Sequence, residues 1–307
     1  MKEKPFIHCF RTYNCCYFYD FNTNAIVRIP ESVYVHLQHL EKGTANISEC
    51  DADVNEILNR LTEQGFLSSH HWCKIEHPAS RLLENYLEGS VQSLTLQVTQ
   101  QCNLKCEYCP YSGGFYNRQH NNRKMSFEIA KKAIDFYFLH SFDIPDAQIG
   151  FYGGEPLIEF EMIRRIVEYC NNEYYGKKIR YFVTTNATLL TEEKIDFLMK
   201  NNFVLTISLD GPRQYHNKNR HRVDDTGSFD IVMENIKMVY RKYPDKKENI
   251  QFNCVIDPEA DLKCINDFFI KEEALREYRV LFNSISREGI KEDDKFLPGD
   301  SYFEQYE

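Results

Sequence analysis

Three cysteines within eight residues are the part of this sequence best suited to chemistry. Cys102, Cys106 and Cys109 are separated by three and then by two residues. Thiolates are soft ligands, and three of them on one short loop can bind three irons of a [4Fe–4S] cubane cluster. The fourth iron would then stay open to a ligand that is not part of the protein. This open iron is the main indication of function in the sequence.

A structural zinc site is the alternative interpretation of the same cysteines. Structural zinc takes four ligands, usually from two closely spaced pairs. The chain contains no second C-x-x-C pair, although His120 or a distant cysteine could supply a fourth ligand. The spacing therefore favours an iron–sulfur cluster over zinc.

A second chemically informative stretch is Gly153-Gly154-Glu155, which precedes a proline. Two glycines allow a ligand or a cluster to approach the backbone closely, and Glu155 supplies a carboxylate. The same residues would also make an ordinary turn between a strand and a helix. Taken alone, the Gly-Gly pair decides little between these interpretations.

Further polar residues follow the next two predicted strands. Asn186 ends a Thr-Thr-Asn sequence, and Arg220 lies twelve residues beyond Ser208. A hydroxyl and a guanidinium together can clamp a carboxylate. The alternatives are a turn-forming asparagine and a solvated arginine in a basic loop. The Asp210 side chain is expected to point towards the same site, but it could instead cap its own turn.

From residue 94 onward the sequence alternates between strand and helix patterns. The predicted strands are 94–98, 148–152, 179–184, 204–209, 250–256 and 279–285. The predicted helices are 126–141, 157–174, 191–201, 227–243 and 261–275, with Ser126 and Thr191 as N-caps. Six β/α units in succession predict an α/β fold with a curved parallel sheet, a partial (β/α)6 TIM-like barrel. In such a barrel the functional residues gather at the C-terminal ends of the strands.

Residues 1–88 have a different pattern, which predicts a small α+β, winged-helix-like domain with a connector. Aromatic-rich runs and a turn at 22–24 indicate antiparallel strands that end near Ile29. Pro30 is expected to open one helix, and Asp53 to cap a second helix that ends at Gly65. We therefore predict two domains, 1–88 and 89–307.

Composition excludes several function classes. The chain has 307 residues, with 37 basic and 46 acidic residues and a net charge of −9, which argues against nucleic-acid or anionic-membrane binding. No apolar stretch is long enough to span a bilayer and the N-terminus lacks a signal-peptide pattern, so we expect a cytoplasmic protein. Eleven cysteines, an odd number, favour metal chemistry over disulfides in that compartment.

Together these motifs resemble those of the radical S-adenosylmethionine (SAM) enzymes, in particular the peptide-maturase group related to anaerobic sulfatase maturases, the SPASM-type branch. The C-x3-C-x2-C spacing, the Gly-Gly-Glu-Pro sequence and the Ser-Leu-Asp-Gly-Pro to Asn-Arg stretch all match. The resemblance implies a radical SAM barrel, a [4Fe–4S] cluster on the three cysteines, and SAM bound to the open iron. It implies no catalytic residue beyond these sites. Its further residues are Tyr108 in the cluster motif, Gly153, Gly154 and Glu155 at the amino group of SAM, Asn186 near SAM, and Ser208 and Arg220 at the SAM carboxylate.

The resemblance also implies a substrate. Residues 1–88 are similar to the PqqD-like recognition element that precedes many peptide-modifying radical SAM enzymes and binds a leader peptide as an added strand. A ribosomally made precursor peptide is therefore the expected partner, thioether crosslinking the expected reaction, and ferredoxin or flavodoxin the expected type of electron donor. A DNA-binding winged helix is disfavoured by 8 basic against 12 acidic residues in 1–88. A domain that only packs on the rest of the chain remains an alternative.

Three other functions stay open at this point. They are a sulfatase-maturase-like oxidase, a peptide epimerase, and a non-catalytic, metal-stabilised peptide-binding module. Members of the group also carry a cysteine-rich C-terminal domain with auxiliary clusters. Residues 286–307 are acidic and contain no cysteine, so we expect that domain to be absent or truncated.

Overall fold

The computed structural model of the chain describes residues 4–44, 51–74, 76–116, 119–292 and 295–297. Contacts between Cα atoms divide the chain into two compact units, Met1–Ser80 and Arg81–Glu307. The predicted domain boundary after residue 88 stays a prediction. Most of the acidic C-terminal stretch lies outside the described residues.

The first unit is a three-stranded antiparallel sheet followed by two helices. The strands, in sheet order, are β1 (Ile7–Arg11), β2 (Cys16–Asp20) and β3 (Ala25–Ile29), and the helices are α1 (Glu31–Lys42) and α2 (Ala52–Glu63). Phe18, Leu37 and Leu58 lie in its core, each at most 1% exposed. The predicted antiparallel strands are confirmed, whereas the winged-helix assignment stays a prediction.

The sequence placed one helix cap wrongly in this unit. The N-cap of α2 is Asp51, and Asp53 lies in the first turn. Gly65 does follow the helix end, where its φ of +89° and its N–H bond to Thr62 close the last turn. The fully buried Asp20 carboxylate accepts N–H bonds from Asn22 at 3.0 Å and Leu67 at 2.8 Å, so it ties the β2–β3 turn to the chain after α2.

The second unit is built on a six-stranded parallel sheet. Its strands lie side by side in chain order, and each predicted strand is confirmed with ends shifted by at most two residues. They are β4 (Leu94–Thr99), β6 (Asp146–Gly153), β7 (Lys178–Thr185), β8 (Phe203–Ser208), β10 (Ile250–Ile256) and β11 (Arg279–Ser284).

Helices connect these strands and cover the apolar core. They are α3 (Leu83–Gly89), α4 (Phe127–Leu139), α5 (Phe160–Glu173), α6 (Glu192–Lys200), α7 (Arg213–Asn219), α8 (Phe229–Lys242) and α9 (Leu262–Lys271). The five predicted helices are confirmed, and Ser126 and Thr191 cap α4 and α6 by accepting backbone N–H bonds. In the described ranges no helix is long and apolar enough to cross a membrane.

Two features of this unit were not predicted. One is the short helix α7. The other is a two-stranded antiparallel ribbon formed by β5 (Leu104–Cys106) and β9 (Arg220–Arg222). Strands this short carry no alternating apolar pattern of their own, and their pairing joins residues more than one hundred positions apart. This ribbon positions part of the site described below.

Candidate functional site

A cavity of about 290 Å³ lies where the parallel strands end, close to the lower limit of about 300 Å³ that is usual for small-molecule sites. Every residue that the sequence motifs nominated lines this cavity, although the motifs are up to 118 residues apart. These residues are Cys102, Cys106, Tyr108, Cys109, Gly153, Gly154, Glu155, Asn186, Ser208 and Arg220.

The β5–β9 ribbon fixes the cysteine loop. Its register places Cys106 directly opposite Arg220, and the N–H of Glu107 extends the pairing with a 2.9 Å bond to Asn219. Leu104, which is 2% exposed, anchors the loop in the interior. The backbone of Arg220 therefore holds a predicted cluster ligand while its side chain lines the same cavity.

The two glycines permit close backbone packing beside the cavity. A Cβ on Gly153 would lie 2.0 Å from the carbonyl oxygen of Thr99, and one on Gly154 would lie 2.0 Å from that of Gln101. Gly153 also has a φ of +142°, which L side chains rarely adopt. The glycines thus allow the loop after β6 to pack directly on the backbone that leads into Cys102. Both glycines also line the cavity.

Glu155 is a buried carboxylate held by neutral donors. It is 1% exposed and accepts hydrogen bonds from Leu157 N at 3.0 Å, Thr185 Oγ1 at 2.7 Å and Asn186 N at 2.8 Å. Burial raises the pKa of Glu155, although these three hydrogen bonds oppose the shift. A carboxylate has about four acceptor positions, so about one remains for a donor in the cavity.

Asn186 links the end of β7 to the cysteine loop. Its Nδ2 donates to Asn103 Oδ1 at 3.0 Å and lies 4.0 Å from Cys102 Sγ. Its Oδ1 accepts bonds from the N–H and the hydroxyl of Thr188. Hydrogen bonds at both Nδ2 and Oδ1 therefore orient the Asn186 side chain, which does more than form a local turn.

Arg220 is paired with Asp210 in the interior. The two residues are 6% and 2% exposed, and Nε and Nη2 lie 2.8 and 3.3 Å from Oδ2 and Oδ1. The Tyr108 hydroxyl donates to Asp210 Oδ2 at 2.5 Å, and its ring lies 5.5 Å from the guanidinium carbon. Burial lowers the pKa of Arg220, but the Asp210 charge outweighs it and the pKa lies well above its usual range. Arg220 is thus a fixed cation at the cavity wall.

Ser208 completes this side of the site. It ends β8 opposite Asn253 of β10 and is 8% exposed. Among the residues that the structure describes, no protein group forms a hydrogen bond with the Ser208 hydroxyl. Ser208 and the Arg220 N–H groups not used by Asp210 can therefore serve a ligand anion in the cavity.

The three thiols have the chemistry that an iron–sulfur cluster requires. Burial raises the pKa of Cys102 to about 11 and that of Cys106 to about 12, and the Arg220 charge opposes the rise at all three cysteines. Iron must therefore displace thiol protons when it binds. Three soft donors in one cavity beside a fixed cation fit a [4Fe–4S] cluster. Across the described ranges, no group of three or more His, Cys, Asp or Glu side chains is placed to hold a single metal ion.

The cavity also contains residues outside the sequence motifs, including His120, which the sequence suggested only as a possible fourth zinc ligand. Tyr111, Tyr152 and His120 line it, together with Ser284 and Ser286 after the last strand. His120 Nδ1 lies 2.9 Å from the carbonyl of Gln100 and therefore carries the ring hydrogen, while Nε2 lies 4.0 Å from Cys109 Sγ. No sequence motif marks these residues, because they reach the cavity only through the folding of the loops.

Comparison with known proteins agrees with this geometry. Residues 96–268 match the family model described as the Radical SAM superfamily. The chain is 31% identical over 170 residues to the serine-type anaerobic sulfatase-maturating enzyme of Bacteroides thetaiotaomicron, which is 54% of this chain and 37% of that protein. It is 28% identical over 258 residues to the radical SAM cyclopropyl synthase TigE of Paramaledivibacter caminithermalis, which is 76% of this chain and 52% of that protein.

A solved structure shows the same fold over much of the chain. The structure described as native anSMEcpe with bound AdoMet is 25% identical, with a TM-score of 0.53 over 63% of this chain and 52% of that one. The chain thus spans about half the length, or less, of the proteins it matches here.

Proposed function

Because the chain belongs to the Radical SAM superfamily, we propose that it is an enzyme that cleaves SAM reductively at a [4Fe–4S] cluster bound by Cys102, Cys106 and Cys109. One observation carries the proposal: these cysteines share a single cavity with a buried carboxylate, Glu155, and a fixed cation, Arg220. SAM has an amino and a carboxylate group, so charges of both signs beside the cluster suit it.

We assign the ligand contacts by charge. Glu155 would accept the amino group of SAM at its remaining acceptor position, and Ser208 with Arg220 would bind the carboxylate. Asn186 would stabilise the wall between these two sites through its bonds to the cysteine loop. When bound, the cluster supplies one electron that breaks a carbon–sulfur bond of SAM and yields methionine and a 5′-deoxyadenosyl radical.

The residues of the chain itself position the cluster and the ligand and exclude water. The sheet strands end at fixed points, the β5–β9 ribbon holds Cys106 opposite Arg220, and buried hydrogen bonds hold Glu155. Radical hydrogen abstraction depends on distance and direction, so such rigidity serves the reaction better than acid–base tuning would. We assign no general base. The order of the six strands supports a partial (β/α)6 TIM-like barrel as the frame.

We further propose a ribosomally made precursor peptide as substrate and a thioether crosslink as product. Support comes from a relative named for the maturation of sulfatases and from a structure, 22% identical with a TM-score of 0.55, described as anSMEcpe with bound AdoMet and a peptide. The first unit would bind the leader, because β1 and β3 are edge strands of its small sheet and can accept an added strand. A cytoplasmic ferredoxin or flavodoxin would supply the electron.

The test of SAM cleavage is anaerobic reconstitution with iron and sulfide, reduction with dithionite, and measurement of 5′-deoxyadenosine. We expect formation by the wild type and none by Cys102→Ala, Cys106→Ala or Cys109→Ala. Cys264→Ala is the control, because Cys264 lies on α9 outside the cavity lining. No 5′-deoxyadenosine from a protein with a full cluster would exclude the enzyme and leave a metal-stabilised peptide-binding module.

The reaction type is tested by mass spectrometry of a co-expressed cysteine-containing precursor peptide. A thioether removes two hydrogens and consumes one thiol that an alkylating reagent would otherwise modify. An oxidase acting on serine removes two hydrogens but leaves every thiol reactive. An epimerase changes neither the mass of the peptide nor its number of reactive thiols. A product with two hydrogens lost and one thiol lost is the expected result.

A further inference from the structure

A buried chain of hydrogen bonds joins both ends of the Asp210–Arg220 pair. The N–H of Asp210 donates to His216 Nδ1 at 3.4 Å, and His216 Nε2 lies 2.9 Å from Ser228 Oγ. Ser228 Oγ in turn donates to the carbonyl oxygen of Arg220 at 3.1 Å. His216 and Ser228 are both 0% exposed. The ion pair is therefore closed into a ring by two residues that lie outside the cavity lining.

The direction of each bond in this ring is fixed. His216 Nδ1 accepts from a backbone N–H, so the ring hydrogen of the neutral imidazole lies on Nε2 and is donated to Ser228. The hydroxyl hydrogen of Ser228 is then left for the carbonyl of Arg220. Burial lowers the pKa of His216 to about 3, with the Arg220 charge adding to the effect, which keeps the imidazole neutral. Each group has one role, and no alternative arrangement satisfies all of them.

The ring leaves Arg220 little freedom. Its side chain is held by two bonds to Asp210, its carbonyl by Ser228, and its backbone by pairing with Cys106. Of the five guanidinium N–H groups, two bond to Asp210 and three are not used by it, and Arg220 lines the cavity. A planar, oriented guanidinium binds a carboxylate better than a mobile one, because its side-chain entropy is already lost.

We propose that His216 and Ser228 are positioning residues that hold the Arg220 guanidinium in register with the carboxylate of an amino-acid-type ligand, here SAM. The proposal rests on the proposed function and deepens it. It assigns ligand affinity to two residues that touch neither the ligand nor the cluster ligands. It concerns the carboxylate of the ligand alone, since Glu155 follows β6, which β7 separates from the Ser208 strand β8.

Ser228→Ala tests this, with Ser141→Ala as a matched control. Ser141 is also buried, at 4% exposed, and its hydroxyl also donates to a backbone carbonyl, that of Val91 at 2.8 Å. Equilibrium dialysis of SAM with the cluster-loaded, oxidised protein gives the affinity without turnover. We expect SAM to bind about tenfold more weakly to Ser228→Ala than to Ser141→Ala, as for one lost hydrogen bond, with equal iron content. Ser228→Thr, which keeps the hydroxyl, should restore most of the affinity.

Decarboxylated SAM separates positioning from a general loss of structure. It lacks the carboxylate, so Ser228→Ala and Ser141→Ala should bind it equally. Equal SAM affinities for the two variants, or an equal loss for SAM and decarboxylated SAM, would overturn the proposal. If Ser228→Ala does not fold, Ser228→Cys keeps the volume with a weaker donor, and the same criteria decide. Absence of 5′-deoxyadenosine from the wild type would contradict the proposed reaction alone, because the binding comparison requires no turnover.

Discussion

Two buried carboxylates, one after β6 and one after β8, are stabilised in different ways. Glu155 follows β6 and accepts bonds only from neutral groups, two backbone N–H groups and one hydroxyl. Asp210 follows β8 and pairs with the buried cation Arg220. Both are at most 2% exposed, so burial alone does not distinguish them.

The difference indicates what each carboxylate can do for a ligand. A carboxylate held by neutral donors keeps its charge available for an incoming ammonium group. A carboxylate paired with an arginine has that charge neutralised and can instead orient the arginine. We therefore infer that Glu155 contacts a ligand directly, whereas Asp210 acts through Arg220. The following changes test this division, from the largest expected effect to the smallest.

Asp210→Asn should be the most damaging change. It leaves Arg220 charged, buried and without its partner, which costs about 3–5 kcal/mol of unfolding free energy. Urea denaturation measures this. The control is Asp230→Asn, which removes an exposed Asp–Arg pair with Arg213 and should leave the midpoint nearly unchanged. Similar urea midpoints for the two variants would show that the buried Asp210–Arg220 pair stabilises the fold no more than the exposed pair does.

Gly154→Ala should come next, because its Cβ would meet the backbone of Gln101 at 2.0 Å. Forced packing of this kind costs about 1–3 kcal/mol, and here it would push the cysteine loop away from the Glu155 loop. We expect less iron per chain after reconstitution. Gly150→Ala is the control, since the atom nearest to its Cβ would be the Thr95 hydroxyl oxygen at 3.3 Å. Full iron content in Gly154→Ala would contradict the close packing of the two loops.

The stability of the folded protein should also fall in acid because of His216, which bonds to the backbone N–H of Asp210. The pKa of His216 falls from an ordinary 6.5 to about 3 in the folded protein, so the unfolded chain binds the proton more tightly. Its stabilisation is complete above pH 6.5 and is lost as the pH falls towards 3, by about 1.4 kcal/mol per pH unit. His216→Gln can replace both hydrogen bonds without titrating. Urea denaturation at pH 7.5 and 5.0 should show a smaller loss for this variant, and an identical loss would rule out His216 as the source.

Thr185→Val should have the smallest effect. It removes one neutral donor from Glu155, a bond of 2.7 Å, and the hydroxyl that accepts the Ala187 N–H at 3.0 Å, and should cost about 1–2 kcal/mol of unfolding free energy. Thr184→Val, the preceding residue on β7, is the control and should cost less. A loss from Thr185→Val as large as that from Asp210→Asn would remove the contrast between neutral and ionic stabilisation.

Much of this organisation could be predicted from the sequence because its signals are local. Apolar alternation predicted six strands, and Ser126 and Thr191 predicted helix starts, since each pattern depends on neighbours within a few residues. Parallel strands bring their C-terminal ends to one edge, so motifs after successive strands were expected to meet, and they do.

The remainder depends on contacts between distant residues, which a single sequence does not encode in a readable pattern. Asp210 could not be assigned beyond a turn, because two of its partners besides Arg220, namely Tyr108 and Val255, lie 102 and 45 residues away. The packing of Gly154 on the backbone of Gln101 could not be predicted, since that contact joins two separate loops. The β5–β9 ribbon was missed for the same reason.

The division between the two ends of the cavity is tested most directly by SAM and decarboxylated SAM, measured by equilibrium dialysis with Glu155→Gln and Ser208→Ala. Both ligands carry the amino group, so Glu155→Gln should weaken both by the same factor, on the order of tenfold or more for a lost charged hydrogen bond. Ser208→Ala should weaken SAM and leave decarboxylated SAM unchanged. If both variants weakened both ligands equally, the assignment of the amino group to Glu155 and the carboxylate to Ser208 and Arg220 would be contradicted.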